Sequence, residues 1–474
     1  MEEKELIKIA QEKIKSFDSP QLKDAGFMPL NGLYFPAIYY PPIPMYPESS
    51  EYEMLNNFSY NGKDPLSVYI HIPFCPSRCL YCHWLVSVGD SQEDIDYYLI
   101  NLEKEMDMYK ERFKTEVISP SSVLIGGGTP SMLSLSQAER FLKSFTDKFD
   151  LSKCSQFSCE VEPKTILGDT GMEKLKIMKD YGIERVSLGV QSFNDEILRK
   201  MGRVHTCKDA MEAIKQIRTA GFKSLSIDLI YGFPGCTLED WIATLKTAFS
   251  LDIDACQLYR LRIVPHGAKV GVVKGEFDKS PDAFPGLEDV YIMKELGILI
   301  SSQNGFQEAS RRVFCKSPIH NSDYLKDHCV RLYDVLGMGI SAWTNLRGRV
   351  FLNTGKSLDK YYSYINEGKL PIARGKIRTR DDKERWALVL PLKHHGVSKM
   401  KYKEITGAGV NAVFGEKIKR LKTYGLLEED ENILRLTEKG RFFADEVSIQ
   451  FYHQEYIPFP EAAYSRGELN PYYS

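Results

Sequence analysis

Short apolar runs alternate with amphipathic stretches from residue 65 onward, and this rhythm predicts a repeated strand–helix unit. The predicted strands are residues 66–72, 121–125, 157–162, 184–190, 225–231 and 255–261. The predicted helices between them are residues 92–113, 135–149, 170–181, 194–220 and 238–251. Strands that are joined by helices pair in parallel, so we expect an α/β fold whose sheet curves into a partial (β/α)6 barrel.

The segments on either side of this series have a different character. Residues 1–64 predict an amphipathic helix and then, at 30–48, an arm rich in proline and tyrosine, which either packs on the domain or covers a substrate. We assign the barrel to residues 65–305 and an extension or linker to 306–375. Residues 376–474 predict helices and a short hairpin in a winged-helix-like domain.

Composition excludes several classes of protein. The 62 lysines and arginines nearly balance the 64 acids, so the net charge of −2 gives no electrostatic reason to expect nucleic-acid binding. No apolar run approaches the ~18 residues of a membrane span. The charged N-terminal stretch does not resemble a signal peptide, and we therefore expect a cytoplasmic protein. In such a protein the ten cysteines are not expected to form a disulfide framework.

Three cysteines cluster directly after the first predicted strand. Cys75, Cys79 and Cys82 have the spacing C-x3-C-x2-C in the segment HIPFCPSRCLYCHW. Thiolates suit iron–sulfur clusters, zinc or Cu(I), and three of them on one short loop can hold a four-iron cluster with one iron left open. The alternatives are structural zinc, with His83 as fourth ligand, and three unliganded core cysteines.

Other polar positions lie in or just after later strands. Gly127, Gly128 and Thr129 belong to GGGTP, where glycines allow a close approach of backbone to a ligand or simply form the turn. Glu160 alternates with Glu162 in CEVEP, where each contacts a ligand or forms a salt bridge. The remaining candidates in this series are Gln191, Arg203, Asp228, Tyr259, Arg260 and Arg262. Because active sites collect at the carboxyl ends of barrel strands, we expect these groups to meet there.

Together, YIHIPFC, GGGTP, EVEP, GVQSFN, DLIYGFP and LGMGISAW resemble the radical S-adenosylmethionine (SAM) enzymes, in their oxygen-independent coproporphyrinogen III oxidase-like (HemN-like) group. The resemblance implies a 4Fe-4S cluster on Cys75, Cys79 and Cys82, with SAM on the open iron. It implies that the residues lining this SAM are Tyr69, Tyr81, Gly127, Glu160 and Trp343. It implies a second SAM held by Gly128, Thr129, Gln191, Arg203 and Asp228.

Two departures bear on the reaction. The oxidases carry an extra cysteine where this chain has Trp84, and their N-terminal arm does not resemble the Tyr/Pro-rich segment here. Arg262 stands where the oxidases have a small residue, which leaves its role open. The resemblance is therefore closer to the class C methyltransferases and cyclopropanases, which transfer a methyl or methylene group to an sp2 carbon of an unsaturated or planar substrate. The alternative is oxidative decarboxylation of coproporphyrinogen III in haem biosynthesis. Either reaction implies a flavodoxin- or ferredoxin-type reductant.

A third relative is the haem chaperone group, which shares the fold and has the motif H-N-x-x-Y-W. This chain has His320, Asn321 and Tyr324, and then Leu325 in place of tryptophan. His320 is a haem ligand, a general base or a surface histidine. With Gln191 and Arg203 it completes our set of candidate catalytic residues.

Overall fold

The structure analysed is a computed structural model, and it describes residues 2–264, 271–394 and 396–473. Residues 265–270 of the predicted barrel lie outside the described residues, as do residues 1, 395 and 474 of the predicted terminal segments. The strands are β1 Leu66–Ile72, β2 Ser122–Gly127, β3 Phe157–Val161, β4 Arg185–Gln191, β5 Ser224–Tyr231, β6 Ala255–Arg260, β7 Gln307–Ser310, β8 Val313–Cys315, β9 Asp334–Met338, β10 Trp343–Leu346, β11 Arg349–Asn353, β12 Ile372–Ile377, β13 Val397–Ser398, β14 Leu427–Glu429 and β15 Ile433–Leu436.

At least one helix lies between every two consecutive strands from β1 to β6. They are α1 Glu3–Ser16, α2 Ser19–Asp24, α3 Glu51–Leu55, α4 Gln92–Phe113, α5 Leu135–Lys148, α6 Gly168–Asp180, α7 Asp195–Lys200, α8 Cys207–Ala220, α9 Leu238–Ser250, α10 Val272–Lys279, α11 Leu287–Gln303, α12 Asp323–Lys326, α13 Leu358–Asn366, α14 Arg380–Leu392, α15 Lys399–Thr406, α16 Val410–Thr423, α17 Glu438–Phe442 and α18 Ala444–Ile449. A short π-helix at Asp327–Arg331 follows α12.

The six predicted strands form a parallel series in chain order, and the α/β fold is confirmed. The sheet is larger than predicted, because it has twelve strands in the order β12-β11-β10-β9-β1-β2-β3-β4-β5-β6-β8-β7. Strand β9 pairs in parallel with β1, and the outer strands are antiparallel. The region treated as an extension or linker at 306–375 therefore supplies strands to both edges of the same sheet.

Each central strand has one apolar face and one polar face. Val68, Ile70, Val186 and Leu188 are fully buried in the large core that packs against the helices. Because side chains alternate along a strand, the neighbouring residues point to the opposite, concave face. That face carries Tyr69, His71, Glu160, Arg185, Ser187, Asp228, Gln257 and Tyr259. A polar concave face on a buried sheet is typical of a ligand site.

The C-terminal region has its own core and a small sheet with the order β13-β15-β14. Helices α14, α15 and α16 precede the hairpin of β14 and β15, which is the predicted winged-helix arrangement. The residues of α14 at 388–390 are fully buried, and the Tyr/Pro-rich arm contributes Phe35 and Tyr40 to the same core. The arm thus lies between the barrel and the C-terminal region.

Candidate radical SAM site

The three clustered cysteines lie on a loop that leaves the carboxyl end of β1. The loop closes on itself, since the backbone N–H of Cys75 donates to Ser87 at 2.9 Å and that of Ser87 donates to Pro73 at 2.9 Å. It is also tied to the end of α7, where the N–H of Leu80 donates to the carbonyl of Met201 at 3.0 Å. All three thiols are therefore presented from one short, anchored segment.

Two side chains donate hydrogen bonds to these sulfurs. The Thr129 hydroxyl donates to Cys75 Sγ at 3.4 Å, and Nη1 of Arg203 donates to Cys79 Sγ at 3.4 Å. Burial raises the pKa of the Cys75 thiol to about 11 when no metal is bound. Thiolates are the metal-binding form, and donors of this kind stabilise negative charge on sulfur. The donor set suits an iron–sulfur cluster.

The described residues contain no preformed site for a single metal ion. In the described part of the chain, no group of three or more His, Cys, Asp or Glu side chains is arranged to hold one. The thiolates of a four-iron cluster each bind a different iron, so they stand further apart than the ligands of one ion. His83, the fourth ligand in the zinc alternative, is hydrogen-bonded to the backbone of Arg262.

The glycines that end β2 allow its backbone to touch its neighbours. A Cβ at Gly126 would lie 2.6 Å from the Glu160 carboxylate, and one at Gly127 would lie 2.6 Å from the His71 imidazole. Gly127 also has a positive φ of 110°. Its N–H donates to the Glu160 carboxylate at 3.0 Å. Glycine is therefore required at these turns by close contact as well as by backbone conformation.

Two acidic residues face each other across the concave face of the sheet. Burial and then the charge of Glu160 raise the pKa of Asp228 to about 7, against the opposing charge of Arg185. Burial also raises the pKa of Glu160, while the Gly127 N–H lowers it. A cationic ligand would relieve the repulsion between these carboxylates. The amino and sulfonium groups of SAM are cations, so the acid pair fits this ligand.

Arg203 and Gln191 meet beyond the end of β4. Nη2 of Arg203 donates to the Gly189 carbonyl at 2.8 Å and lies 3.4 Å from Oε1 of Glu162. His205, which the sequence analysis missed, has its Nδ1 2.9 Å from the same Glu162 oxygen. Glu162 therefore forms the ion pair that was one of its two expected roles. The adjacent KMGRVH segment was the available signal for His205.

Gln191 has a left-handed backbone and a buried side chain. Its φ is 67°, which is uncommon for a residue other than glycine. A Cβ at Gly189 would lie 3.0 Å from the Gln191 amide nitrogen, so that amide lies over Gly189 beside Arg203. Strained residues of this kind cluster at functional sites. The structure thus brings Gln191 and Arg203 together next to the cysteine loop.

The aromatic candidates lie in three different settings. The Tyr69 hydroxyl is 3.0 Å from Nδ1 of His71 on the concave face. Tyr81 lies in the cysteine loop, where burial raises the pKa of its hydroxyl and the charge of Arg203 opposes this rise. Trp343 is buried, and its N–H donates to the hydroxyl of Tyr46, a residue of the arm, at 2.9 Å. Trp343 therefore contacts the arm directly.

The structure does not bring His320 to this site. Its Nδ1 is 2.7 Å from the hydroxyl of Ser224, the first residue of β5, and its Nε2 is 3.9 Å from Asp254. Both neighbours lie at the amino ends of parallel strands, opposite to the cysteine loop. Asn321 donates to the Ser310 hydroxyl at 2.8 Å. The structure thus places His320 away from the other candidate residues, and its expected roles as a catalytic residue or haem ligand stay predictions.

The arm both packs and contributes to the interior. The ring of Tyr39 contacts that of Trp343, with centroids 4.8 Å apart and planes tilted by 48°. Burial raises the pKa of the Tyr39 hydroxyl, and the nearby charge of Glu160 adds to this effect. The hydroxyl of Tyr34 donates to Asp445 in α18 at 2.5 Å. Arg262, whose role was uncertain, lies 4.5 Å from the ring of Phe35. The two roles expected for the arm are therefore compatible.

Comparison with known proteins identifies the family. The Radical SAM superfamily profile matches residues 69–248, and the HemN C-terminal domain profile matches residues 385–443. The chain is 31% identical over 387 residues to the heme chaperone HemW of Bacillus subtilis, covering 80% of this chain and 97% of that protein. The chain belongs to the HemN-like family of radical SAM proteins. This family implies a 4Fe-4S cluster and SAM.

Two further relatives in the HemN-like family are oxidases. The oxygen-independent coproporphyrinogen III oxidase of Escherichia coli is 28% identical over 82% of this chain and 85% of that protein. A solved structure titled as the E. coli coproporphyrinogen III oxidase HemN matches with a TM-score of 0.75 and 25% identity, covering 88% of this chain and 96% of that one. These relatives do not support the expected closer kinship to methyltransferases and cyclopropanases.

Within the described residues, no helix is both long and apolar enough to cross a membrane.

Proposed function

We propose that this HemN-like protein is a SAM-cleaving radical enzyme that acts on a tetrapyrrole by oxidative decarboxylation of a coproporphyrinogen. The observation that carries the proposal is the convergence at one barrel end of three loop thiols, two of which accept bonds from Thr129 and Arg203. The relatives named as coproporphyrinogen oxidases support the choice of substrate.

In this proposal Cys75, Cys79 and Cys82 hold a 4Fe-4S cluster and leave one iron open for SAM. When bound, the cluster would supply the electron that cleaves SAM to a 5′-deoxyadenosyl radical. Glu160 and the Gly127 backbone would bind the SAM amino group, and Arg203 and Gln191 would bind a second SAM beside Asp228. Close placement of reacting groups of this kind raises their effective concentration.

The chain's residues would also exclude water from the reacting groups. Tyr39, Tyr69 and Tyr324 surround Glu160, and burial raises the pKa of each hydroxyl, so all three stay neutral. Tyr69 and Tyr324 have ring centroids 6.0 Å apart. An aromatic wall of this kind suits a planar substrate.

The test begins with anaerobic reconstitution and an iron count. We expect four irons per chain in the wild type and a loss of iron in Cys79→Ala. Cys207→Ser serves as the matched control, because Cys207 begins α8, outside the cysteine loop. With dithionite and SAM, the wild type should form 5′-deoxyadenosine, and failure to do so would refute a radical SAM enzyme.

Isotope labelling then separates decarboxylation from methyl transfer, the reaction that the sequence analysis favoured. With methyl-deuterated SAM and coproporphyrinogen III, decarboxylation releases CO2 and leaves no deuterium in the product. Deuterium in the product would instead establish transfer. A flavodoxin or ferredoxin should replace dithionite as the electron donor in either reaction.

Haem carriage is the second candidate, favoured by the identity to the heme chaperone HemW. Haem titration of the reconstituted protein would test it through a Soret shift. His320 lies at the amino ends of the strands, opposite to the cysteine loop, so a shift caused by haem on the concave face should persist in His320→Ala.

A further inference from the structure

Glu105 is a buried acid in α4, a helix that packs in the large core on the apolar side of the sheet. Its side chain is fully enclosed, and its two oxygens accept three hydrogen bonds. Oε2 accepts from the Tyr361 hydroxyl at 2.6 Å and from the Gly339 N–H at 2.8 Å, and Oε1 accepts from Nδ2 of Asn353 at 2.8 Å. A buried acid is costly unless its oxygens are bonded in this way. The positions of the three donors therefore indicate what the acid holds in place.

The donors surround the turn between β9 and β10. Gly339 is the first residue after β9, and the Nδ2 group of Asn353, at the end of β11, also donates to the Gly339 carbonyl at 2.8 Å. The turn has two left-handed residues, Gly339 with a φ of 97° and Ser341 with a φ of 53°. Such a conformation persists only where the surrounding structure supports it. Here Glu105 and Asn353 hold the N–H and the carbonyl of the same turn residue.

Tyr98 joins this turn to the end of β1. It lies seven residues before Glu105, so the two side chains are two helical turns apart on one face of α4. The Tyr98 hydroxyl donates to the His71 carbonyl at 2.6 Å and accepts from the Ile340 N–H at 3.2 Å. A Cβ at Gly339 would lie 2.5 Å from this hydroxyl. Helix α4 thus fastens the turn to the strand that leads into the cysteine loop.

The residue that follows the turn is Trp343, which is expected to line SAM. Its carbonyl lies so close to β9 that a Cβ at Gly337 would collide with it, and Gly337 pairs in register with Tyr69 of β1. Tyr69 is also expected to line SAM. Three adjacent strands therefore carry these two aromatic residues side by side. A shift of the turn would move Trp343 relative to Tyr69.

We propose that Glu105 is a positioning residue for SAM binding, which acts by holding the β9–β10 turn and, through it, Trp343. The inference rests on the proposed function, because it assumes that Trp343 and Tyr69 line the SAM site. The cysteine loop is held by separate bonds, from Cys75 to Ser87 and from Leu80 to Met201. Loss of the Glu105 carboxylate should therefore weaken SAM binding and leave the iron content unchanged.

The charge of Glu105 provides a second measurable consequence. Burial raises its pKa to about 7, and its three hydrogen bonds oppose the rise. Burial also holds its ionisable neighbours neutral near pH 7, since it raises the pKa of three tyrosines and lowers that of His71 to about 4; the tyrosines are Tyr98, Tyr109 and Tyr361. Glu105 thus gains a proton as pH falls through 7 while these neighbours do not. A protonated oxygen is a donor, so one of the three bonds is then lost.

The test measures SAM affinity by equilibrium dialysis on the anaerobically reconstituted full chain. We expect Glu105→Gln to keep four irons per chain and to bind SAM about tenfold more weakly, which is the lower end of the loss for a hydrogen bond to a charged group. The EPR spectrum of its reduced cluster without SAM should match that of the wild type. Tyr361→Phe removes only one donor, so it provides a milder variant with a smaller loss of affinity if Glu105→Gln melts too low to be measured.

The pH profile separates positioning from a general loss of stability. The ratio of wild-type to Glu105→Gln affinity should fall from about ten at pH 8 towards one at pH 6, because the protonated wild type loses the same bond as the variant. Titration of SAM itself and of Asp228 affects both proteins equally and cancels in this ratio. A constant ratio would overturn the proposal, as would wild-type affinity in folded, iron-loaded Glu105→Gln.

The matched control is Asp327→Asn. Asp327 is equally buried and accepts hydrogen bonds from three serine hydroxyls at 2.7 to 3.0 Å, but it lies at the amino ends of β1 and β2. This variant should melt at a lower temperature and keep wild-type SAM affinity. A fall in SAM affinity in Asp327→Asn equal to that in Glu105→Gln would show that the effect follows stability, and the proposal would be wrong.

Failure of this inference can be told from failure of the proposed function. A wild type that holds its cluster but binds no SAM would refute both. A wild type that binds SAM and a Glu105→Gln variant that binds it equally well would refute only the positioning role. The measurement needs no porphyrin, so an error in the choice of substrate would not affect it.

Discussion

Substitution of Gly128 by alanine should displace the cysteine loop. A Cβ at Gly128 would lie 2.6 Å from the carbonyl carbon and oxygen of Pro73 and 2.8 Å from the carbonyl oxygen of Phe74. These contacts are roughly 1 Å shorter than the optimum between such atoms. The backbone has little room to move, because the Gly128 N–H donates to Ile72 at 2.7 Å and the Thr129 N–H donates to Phe74 at 2.8 Å.

The expected cost is about 1–3 kcal/mol, the usual range for overpacking a well-packed site. Phe74 directly precedes Cys75, so relief of the clash should shift this ligand. We expect Gly128→Ala to bind fewer irons per chain after anaerobic reconstitution and to melt at a lower temperature. Iron analysis, the absorbance of the reconstituted protein and thermal unfolding measure these effects.

Gly415→Ala is the matched control. Gly415 lies inside α16, and a Cβ there would meet nothing within 4 Å. Alanine is favoured over glycine in a helix by ~0.5–1 kcal/mol, so this variant should be slightly more stable and keep its iron. A full complement of iron together with an unchanged melting temperature in Gly128→Ala would refute the argument from close contact.

Three other outcomes follow from side-chain contacts. Arg203→Lys should reduce SAM affinity about tenfold in equilibrium dialysis, because lysine cannot donate to Cys79 Sγ and the Gly189 carbonyl at the same time. An affinity equal to that of the wild type would contradict this role of Arg203. Burial lowers the pKa of Lys393 from 10.5 to about 7. Between these two pH values Lys393 is protonated in the unfolded chain and neutral in the folded one. The wild type should therefore gain stability relative to Lys393→Met as pH rises through that window, with a deficit on the order of 4–5 kcal/mol at and below pH 7. Urea unfolding of the wild type and Lys393→Met at pH 7 and pH 10 measures this change. An equal difference in their free energies of unfolding at the two pH values would contradict it. His320→Ala should keep full iron and lose only about 1 kcal/mol of stability, whereas a loss of SAM cleavage would restore His320 to the site.

The barrel strands could be predicted because their signals are local. The predicted and observed bounds of β1 are the same, Leu66–Ile72, because its buried apolar run ends at His-Ile-Pro just before the cysteine loop. The strands β7 to β12, which flank the six parallel strands, were not predicted, because they are short and several of their pairings join distant segments. Strand β9, for example, pairs with β1 more than 260 residues away in the chain, which is a contact no local pattern shows.

The candidate site, like the fold, could be predicted from the sequence only in part. The cysteine spacing and the acids at strand ends follow from the sequence pattern, and the structure brings Arg203 and Thr129 to the sulfurs. The burial of Lys393 could not be recognised, because a lysine after an apolar helix is expected to be solvated and to interact with the helix dipole. Only the packing of α14 against the π-helix shows that it is buried.

The route of the Tyr/Pro-rich arm has a consequence for how the protein is made. Its contacts reach to Asp445, which bonds the Tyr34 hydroxyl and the Ala37 N–H across 411 and 408 residues. While the chain emerges from the ribosome, the arm's aromatic side chains are exposed and have no docking partner until α18 has been synthesised. The arm is thus made long before its partner in α18, and termination of synthesis before α18 would leave its aromatic side chains exposed and prone to aggregation.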